Sequence, residues 1–337
     1  LVSPAAPRWI RDRLVEHPLR EGGEPLAIAR LIGSSAPLED GTPMRLRLPA
    51  GCEAEWGDTV SALVVLERPP VRSNPGGFSA RDAAASTGLA VQGRALVARV
   101  IPVRGMRAWP RATAVRWRRS IERVLARGLT AESRQLVTPL VVGDRSALPP
   151  AVGADLRASG LTHLLALSGL HVVWLAGIAR AFAAALGCGV RGRALAGAAC
   201  ALFYALIAGP LPSLMRAVMT EWVGTLARLA GRALDPIQAL AFSALALLVV
   251  APGWAGDLGF RLSCAATLGL VTAGPWITAR AGRRKALLSP LVPTLAAQLM
   301  ALPLLLGRFH ALPWTSLASN LAAVPVCGVL LAAAWIG

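Results

Sequence analysis

The sequence predicts a multi-span α-helical membrane domain preceded by a small all-β domain of the OB type, the latter lying outside the cytoplasm. Three observations lead there. The chain of 337 residues is 55% hydrophobic and 16% charged, with a mean hydropathy of +0.55. Its acidic residues crowd into the first half, and after Asp155 only Glu221, Asp235 and Asp257 remain. Short β-favouring runs separated by turn residues fill the first part, whereas long apolar blocks fill the second. A water-soluble domain keeps its carboxylates throughout; a bilayer excludes them.

Taken in order, residues 1–24 form an N-terminal segment, cut from something longer, with a short amphipathic helix over 8–16. Residues 25–105 form the β domain. The runs LAIARLIG, MRLRLPAG, DTVSALVVLE and VQGRALVARVIPV sit between turn residues, and about five short strands of this kind suit a small barrel. The stretch SNPGGFSARDAAASTGL interrupts them as a loop and short helix.

Residues 106–159 are assigned to interfacial helices. Over 112–127, Val115, Ile121, Val124 and Leu125 fall on one side and arginines on the other. This basic amphipathic helix either lies on the membrane surface or packs on the barrel. One or two short helices follow, around a Gly-Asp-Arg-Ser turn.

Residues 160–337 divide into about seven apolar segments, at 161–186, 194–209, 214–231, 236–251, 258–278, 287–307 and 312–336, each near the length a bilayer requires. The second and fourth are short. The third is the least apolar, because Arg216, Glu221 and Arg228 lie in it, and Pro303, Pro313 and Pro325 are expected to kink the last two. Alternate loops carry Arg191 and Arg193, then Arg228 and Arg232, then Arg280, Arg283, Arg284 and Lys285, whereas the intervening loops offer only Arg308. By the positive-inside rule the first set is cytoplasmic, which puts residues 1–160 on the extracytoplasmic side. The net charge of +17 is then either orientation signal or the mark of a polyanionic partner. The five cysteines show no metal-binding spacing, so neither metal nor cofactor is expected. The chain ends within the apolar run LLAAAWIG and is expected to continue beyond it.

The stretch GLTHLLALSGLHVVWLAG, at 160–177, is apolar yet contains His163, Ser168 and His171. Ser168 and His171 stand three apart, so on a helix they share a face. Two readings remain open: a serine nucleophile with a histidine base, or small residues at Ala166, Ser168 and Gly169 that allow close packing or a local break in the helix. Arg216 and Glu221 follow a GPLPS break, and ionisable groups at membrane depth either pair or line a wet path. Here the alternatives are a water-lined cavity, or an interfacial Arg216 with Glu221 paired to Arg228. Asp257 and Arg261 have the spacing of an ion pair on one helical face.

The run VVGDRSALPPAVGADLRASGLTHLLALSGLHVVWLAG resembles the signature of the ComEC family of competence DNA-uptake channels. The stretches PSLMRAVMT, LDPIQALAFSALALLVVAP, LGFRLSCAATLGL and LPLLLGRFHALPWTSLASNLAAVPV agree in order, as does NPGGF in the β domain. Matching residue by residue, the resemblance implies structural roles for Gly143, Asp144, Arg145 and Gly169. It implies signature or channel roles for His163, Ser168, His171, Arg216, Glu221, Gly259, Phe260, Arg261 and Ser263, with Asp257 beside them. The family often has Gln where Arg261 stands.

The implied function is transport of single-stranded DNA across the cytoplasmic (inner) membrane during natural transformation. The implied partners are the strand, membrane lipids and other competence proteins including a cytoplasmic ATP-driven motor, with the pore formed by one chain or by a homo-oligomer. Outside, Arg45, Arg47, Trp56, Phe78, Arg116, Arg118 and Arg119 are the candidates to meet the strand. The extra amino-terminal helices of many members and their HxHxDH nuclease motif are absent from this sequence, so no catalytic residue is assigned. The alternatives are an intramembrane serine hydrolase using Ser168 and His171, or a transporter of another polyanion.

Overall fold

A computed structural model describes residues 8–14, 19–21, 24–34, 43–49, 52, 54, 58–67, 91–101, 109–143, 148–161, 164, 168–280, 289, 291–309 and 315–336. It divides into two compact units. One comprises Leu1–Thr138, Asp144–Ala147 and Leu206–Pro210; the other comprises Pro139–Gly143, Leu148–Ala205 and Leu211–Gly337.

Among its described residues the first unit has six strands: β1 (Arg8–Leu14), β2 (Leu19–Glu21), β3 (Glu24–Ser34), β4 (Pro43–Arg47), β5 (Thr59–Glu67) and β6 (Val91–Ile101). Their order is β1-β5-β6-β4-β3-β2, and an additional β1–β3 pairing closes the sheet on itself. Every pairing is antiparallel except β4 with β6. Alternation explains the core: Met44, Leu46 and Leu48 are buried, as are Val60, Ala62 and Val64, while Arg47 between two of them is exposed. Each of the buried Met, Leu and Val side chains among them stabilises the barrel by about 1.5–3 kcal/mol.

Closure corrects the sequence reading at one point. Residues 8–14 are not a helix but the closing strand, pairing with β5 through Arg8–Arg13 and with β3 through Ile10–Leu14. Ile10, 2% exposed, belongs to the barrel core, so the barrel starts before residue 25. The interrupting stretch at 73–89 lies outside the described residues.

Helix α1 (Trp109–Gly128) matches the expected basic helix and extends it at its N-terminus. Ala114, Val115 and Leu125 are buried, but Val124, expected on the same face, is 60% exposed, as is half of Trp117. Helices α2 (Ala131–Val142) and α3 (Pro150–Ala158) follow. Gly143 ends α2 with its amide bonded to the Pro139 carbonyl and φ at 80°, a left-handed value that costs glycine nothing.

Among the described residues seven further helices follow: α4 (Gly169–Ala185), α5 (Val190–Ala208), α6 (Pro212–Leu229), α7 (Pro236–Val250), α8 (Leu258–Arg280), α9 (Val292–Phe309) and α10 (Ser316–Ile336). They correspond one to one with the seven apolar segments. Three of them, Val190–Ala208, Leu258–Arg280 and Ser316–Trp335, are long and apolar enough to cross a membrane; Gly169–Ala185, Pro236–Val250 and Val292–Gly307 are shorter apolar helices. The chain is a membrane protein. The expected first span over 161–186 is shortened, because its helix begins only at Gly169. The expected second span is lengthened to 19 residues. Large apolar side chains such as Phe242, Leu245, Val249 and Val329 point outward at 59–74% exposure, as lipid-facing residues do. Helices α8 and α9 cross closely at Gly269, where a Cβ would run into the Ala296 carbonyl.

Candidate functional site

Helix α4 starts at Gly169 because Ser168, with φ −126° and ψ 173°, is extended and occupies the N-cap position. Ser168 and His171 therefore do not share a helical face. The backbone N–H of Ser168 donates to Nδ1 of His171 at 3.3 Å, and the Ser168 hydroxyl lies 3.3 Å from the same nitrogen. The His171 amide in turn donates to the Ser168 carbonyl at 3.2 Å. His171 is 1% exposed, stacks near-parallel on Tyr204 at 6.4 Å and meets Trp174 edge-on at 6.0 Å. With Nδ1 accepting an amide proton, the ring's first task is to cap the helix.

The sequence places Arg216 in the second turn of α6, and the fold brings it to the start of α4. Its side chain is buried at 5% exposure. Nε donates to the Ser263 hydroxyl on α8 at 2.8 Å. On its other edge Nη2 lies so close to Gly169 that a Cβ there would stand 3.1 Å away, with Ala217 Cβ at 3.2 Å. The Ser-Gly pair thus serves the close approach expected of it, and what approaches is a guanidinium. Among the described residues Arg216 has no carboxylate partner and no second hydrogen-bond acceptor. Below it the Thr220 hydroxyl lies 2.9 Å from the Arg216 carbonyl and 3.1 Å from Ser243 on α7, whose own hydroxyl bonds the Ala239 carbonyl at 2.6 Å. A polar seam therefore joins α4, α6, α7 and α8 inside an otherwise apolar bundle.

One turn further along α6, Glu221 forms an ion pair with Arg180 of α4, and Arg228 stands 4.0 Å from the same carboxylate. Both sequence alternatives for this pair are thereby modified. Glu221 does take Arg228, but more closely it takes Arg180, which sequence reasoning passed over. The available signal was Arg180 itself, a cation in the middle of the apolar run GIARAFAAA. Gly197 of α5 leaves the room, since a Cβ there would sit 2.9 Å from Arg180 Nη1 and 3.1 Å from Glu221 Oε1.

Asp257 and Arg261 are not brought together as an ion pair. Asp257 accepts from the Phe260 amide at 2.7 Å and so caps α8, and Arg261 is exposed. Gly259 and Phe260 lie in the same first turn, Phe260 buried. His163, Asp144, Arg145, Trp56 and Phe78 lie outside the described residues.

In the first unit Arg45 and Arg47 project from β4, half-buried and exposed. On α1, Arg116 donates to Thr113 at 3.1 Å, Arg118 pairs with Glu122 at 3.1 Å, and Arg119 is exposed. Cys52, in the barrel, has its thiol pKa pushed up by burial. Among the described residues no three His, Cys, Asp or Glu side chains cluster as a metal site.

A helical membrane unit with a buried arginine that has no carboxylate partner among the described residues, in one chain with a β-barrel unit, is the class of protein these features define. Residues 140–336 match the family described as competence protein, and the chain belongs to that family. It is 31% identical over 218 residues to ComE operon protein 3 of Bacillus subtilis (strain 168), covering 60% of this chain and 27% of that protein. To competence protein ComA of Neisseria gonorrhoeae it is 33% identical over 236 residues, 66% of this chain and 32% of that protein. A third relative is the uncharacterized protein YcaI of Escherichia coli (strain K12), 25% identical over 202 residues, 57% of this chain and 27% of that protein. The chain thus spans about a third or less of the length of these relatives. No solved structure matches it.

Proposed function

We propose that the chain forms part of a conduit for single-stranded DNA across the cytoplasmic membrane during natural transformation. The observation that carries this reading is Arg216, a buried guanidinium with no carboxylate partner among the described residues. Burying a lone charge costs several kcal/mol, so it persists where water or a mobile anion completes it. A phosphodiester backbone is such an anion, and positive charge without base readout suits a sequence-independent passage. Membership of the competence family supports the same reading.

In this reading the arginine-bearing ends of alternate helices face the cytoplasm, and the residues before α4 face outward as an OB-like domain. Arg45, Arg47 and the arginines of α1 gather the strand there. Trp117 and Val124, exposed on α1 among those arginines, seat the helix at the lipid surface. A cytoplasmic ATP-driven partner supplies the pull.

The test is Arg216→Ala in a transformable cell. Uptake of labelled single-stranded DNA is lost while the protein still accumulates in the membrane; normal uptake would sink the proposal. A second reading, a serine hydrolase, draws on the 3.3 Å contact between Ser168 and His171. Covalent labelling by a fluorophosphonate that disappears in Ser168→Ala would favour it. Uptake of a different polyanion by vesicles in place of DNA would point to a transporter of that polymer.

A further inference from the structure

We infer that the start of α4 and the guanidinium of Arg216 together form a discrete subsite for one phosphodiester group. The inference rests on the conduit reading for its ligand class, while the site itself is drawn from the geometry.

Four features converge. The first-turn amides of Gly169 and Leu170 have no hydrogen-bond partner among the described residues, because the two bonds at this terminus are made by the Ser168 and His171 amides. A helix start with free amides attracts an anion. No acidic residue lies in the first turn of α4, and the capping box of Ser168 and His171 takes up the Ser168 and His171 amides and not those of Gly169 and Leu170. Arg216, 95% buried by its 5% exposure, presents Nη2 against Gly169 and has no acceptor for either terminal nitrogen. Ser263 holds the guanidinium by Nε alone, which leaves the Nη edge for a ligand.

A helix start and a buried cation side by side repel one another; nothing among the described residues neutralises them. One oxyanion resolves both, accepting from the Gly169 and Leu170 amides with one oxygen and from Arg216 with another. The ligand class is a phosphodiester because the conduit reading brings one past the site, and its single charge and two unesterified oxygens match the two amides and the guanidinium. The same construction explains why position 169 is glycine: alanine would push the guanidinium away from the amides.

The test uses the full chain in nanodiscs with thymidylyl-thymidine, which carries one phosphodiester, and its uncharged methylphosphonate analogue. Binding is read by isothermal calorimetry and by quenching of tryptophan fluorescence. The phosphodiester binds and the analogue does not. Gly169→Ala and Arg216→Lys each weaken binding by more than about tenfold, as expected for a lost charge-assisted hydrogen bond. Gly177→Ala, on the same helix and with open space around it, leaves binding unchanged and reports that the fold is intact. Equal binding of the analogue, or undiminished binding in a correctly folded Gly169→Ala, overturns the subsite while leaving the conduit reading in place. Binding lost in Gly169→Ala in cells that still take up DNA normally sustains the subsite and overturns the conduit reading.

Discussion

The Nε of Arg216 donates to the Ser263 hydroxyl at 2.8 Å, tying α6 to α8 by the one hydrogen bond its side chain makes among the described residues. Removing the acceptor leaves a buried cationic donor without its partner. Ser263→Ala is therefore expected to destabilise the helical unit by about 1.5–3 kcal/mol. Thermal unfolding in detergent checks this, and Ser263→Thr, which keeps the hydroxyl, should recover most of the loss.

Glu221 stands between Arg180 and Arg228. Glu221→Gln leaves two cations facing one another and should cost about 3 kcal/mol, the low end for a broken buried pair, since Arg180 keeps 30% of its side chain exposed. The double replacement of Arg180 and Glu221 by Met should restore stability toward that of the parent. A double-mutant cycle followed by chemical denaturation measures the coupling.

Gly197→Ala tests the same pair from the other side. Its Cβ would stand 2.9 Å from Arg180 Nη1, so the ion pair has to shift, at about 1–3 kcal/mol. Ordinarily glycine to alanine inside a helix is stabilising by about 0.5–1 kcal/mol. A lowered unfolding temperature in Gly197→Ala, against an unchanged or raised one in Gly177→Ala, is the expected pattern.

Arg261 is exposed and makes no ion pair with Asp257. Arg261→Ala should reduce DNA uptake far less than Arg216→Ala, although the sequence puts both on the same footing. Transformation frequencies of the two variants, normalised to the amount of protein in the membrane, decide it.

Two cysteines report sidedness. Cys52 lies in the barrel and Cys188 at the end of α4. With the other cysteines replaced, a membrane-impermeant maleimide should reach Cys52 in intact spheroplasts and Cys188 only after permeabilisation. Burial raises the Cys52 pKa, so less of it is thiolate near neutral pH. Its labelling should accelerate as pH rises beyond the range of an ordinary thiol, about 8.5.

Much of this architecture was legible in the sequence because its signals are local. Alternation around Met44 and Leu46, the apolar blocks, and the Ser-Gly pair each act over a few residues. The misread elements depend on partners far along the chain. Arg8–Leu14 has the periodicity of a weak helix but becomes a strand because β3 and β5 offer it two edges. Asp257 and Arg261 have ion-pair spacing, yet the carboxylate is drawn to the nearer unsatisfied amide of Phe260. Arg180 was invisible as a site residue because its partner lies on α6, 41 positions away. The closeness of Arg216 to Gly169 likewise arises only when α4 and α6 pack.

Those two helices run parallel, since Gly169 meets Arg216 near their starts and Arg180 meets Glu221 further along both. Their peptide dipoles therefore add instead of cancelling, which leaves the Arg216 end electropositive and the far end electronegative. Arg180 and Arg228, two cations against one carboxylate, reverse that sign at the far end. A polyanion threaded past both levels would be held at each and repelled at neither. Its passage would then proceed by release from one grip and capture at the next, so that losing either level should slow the strand.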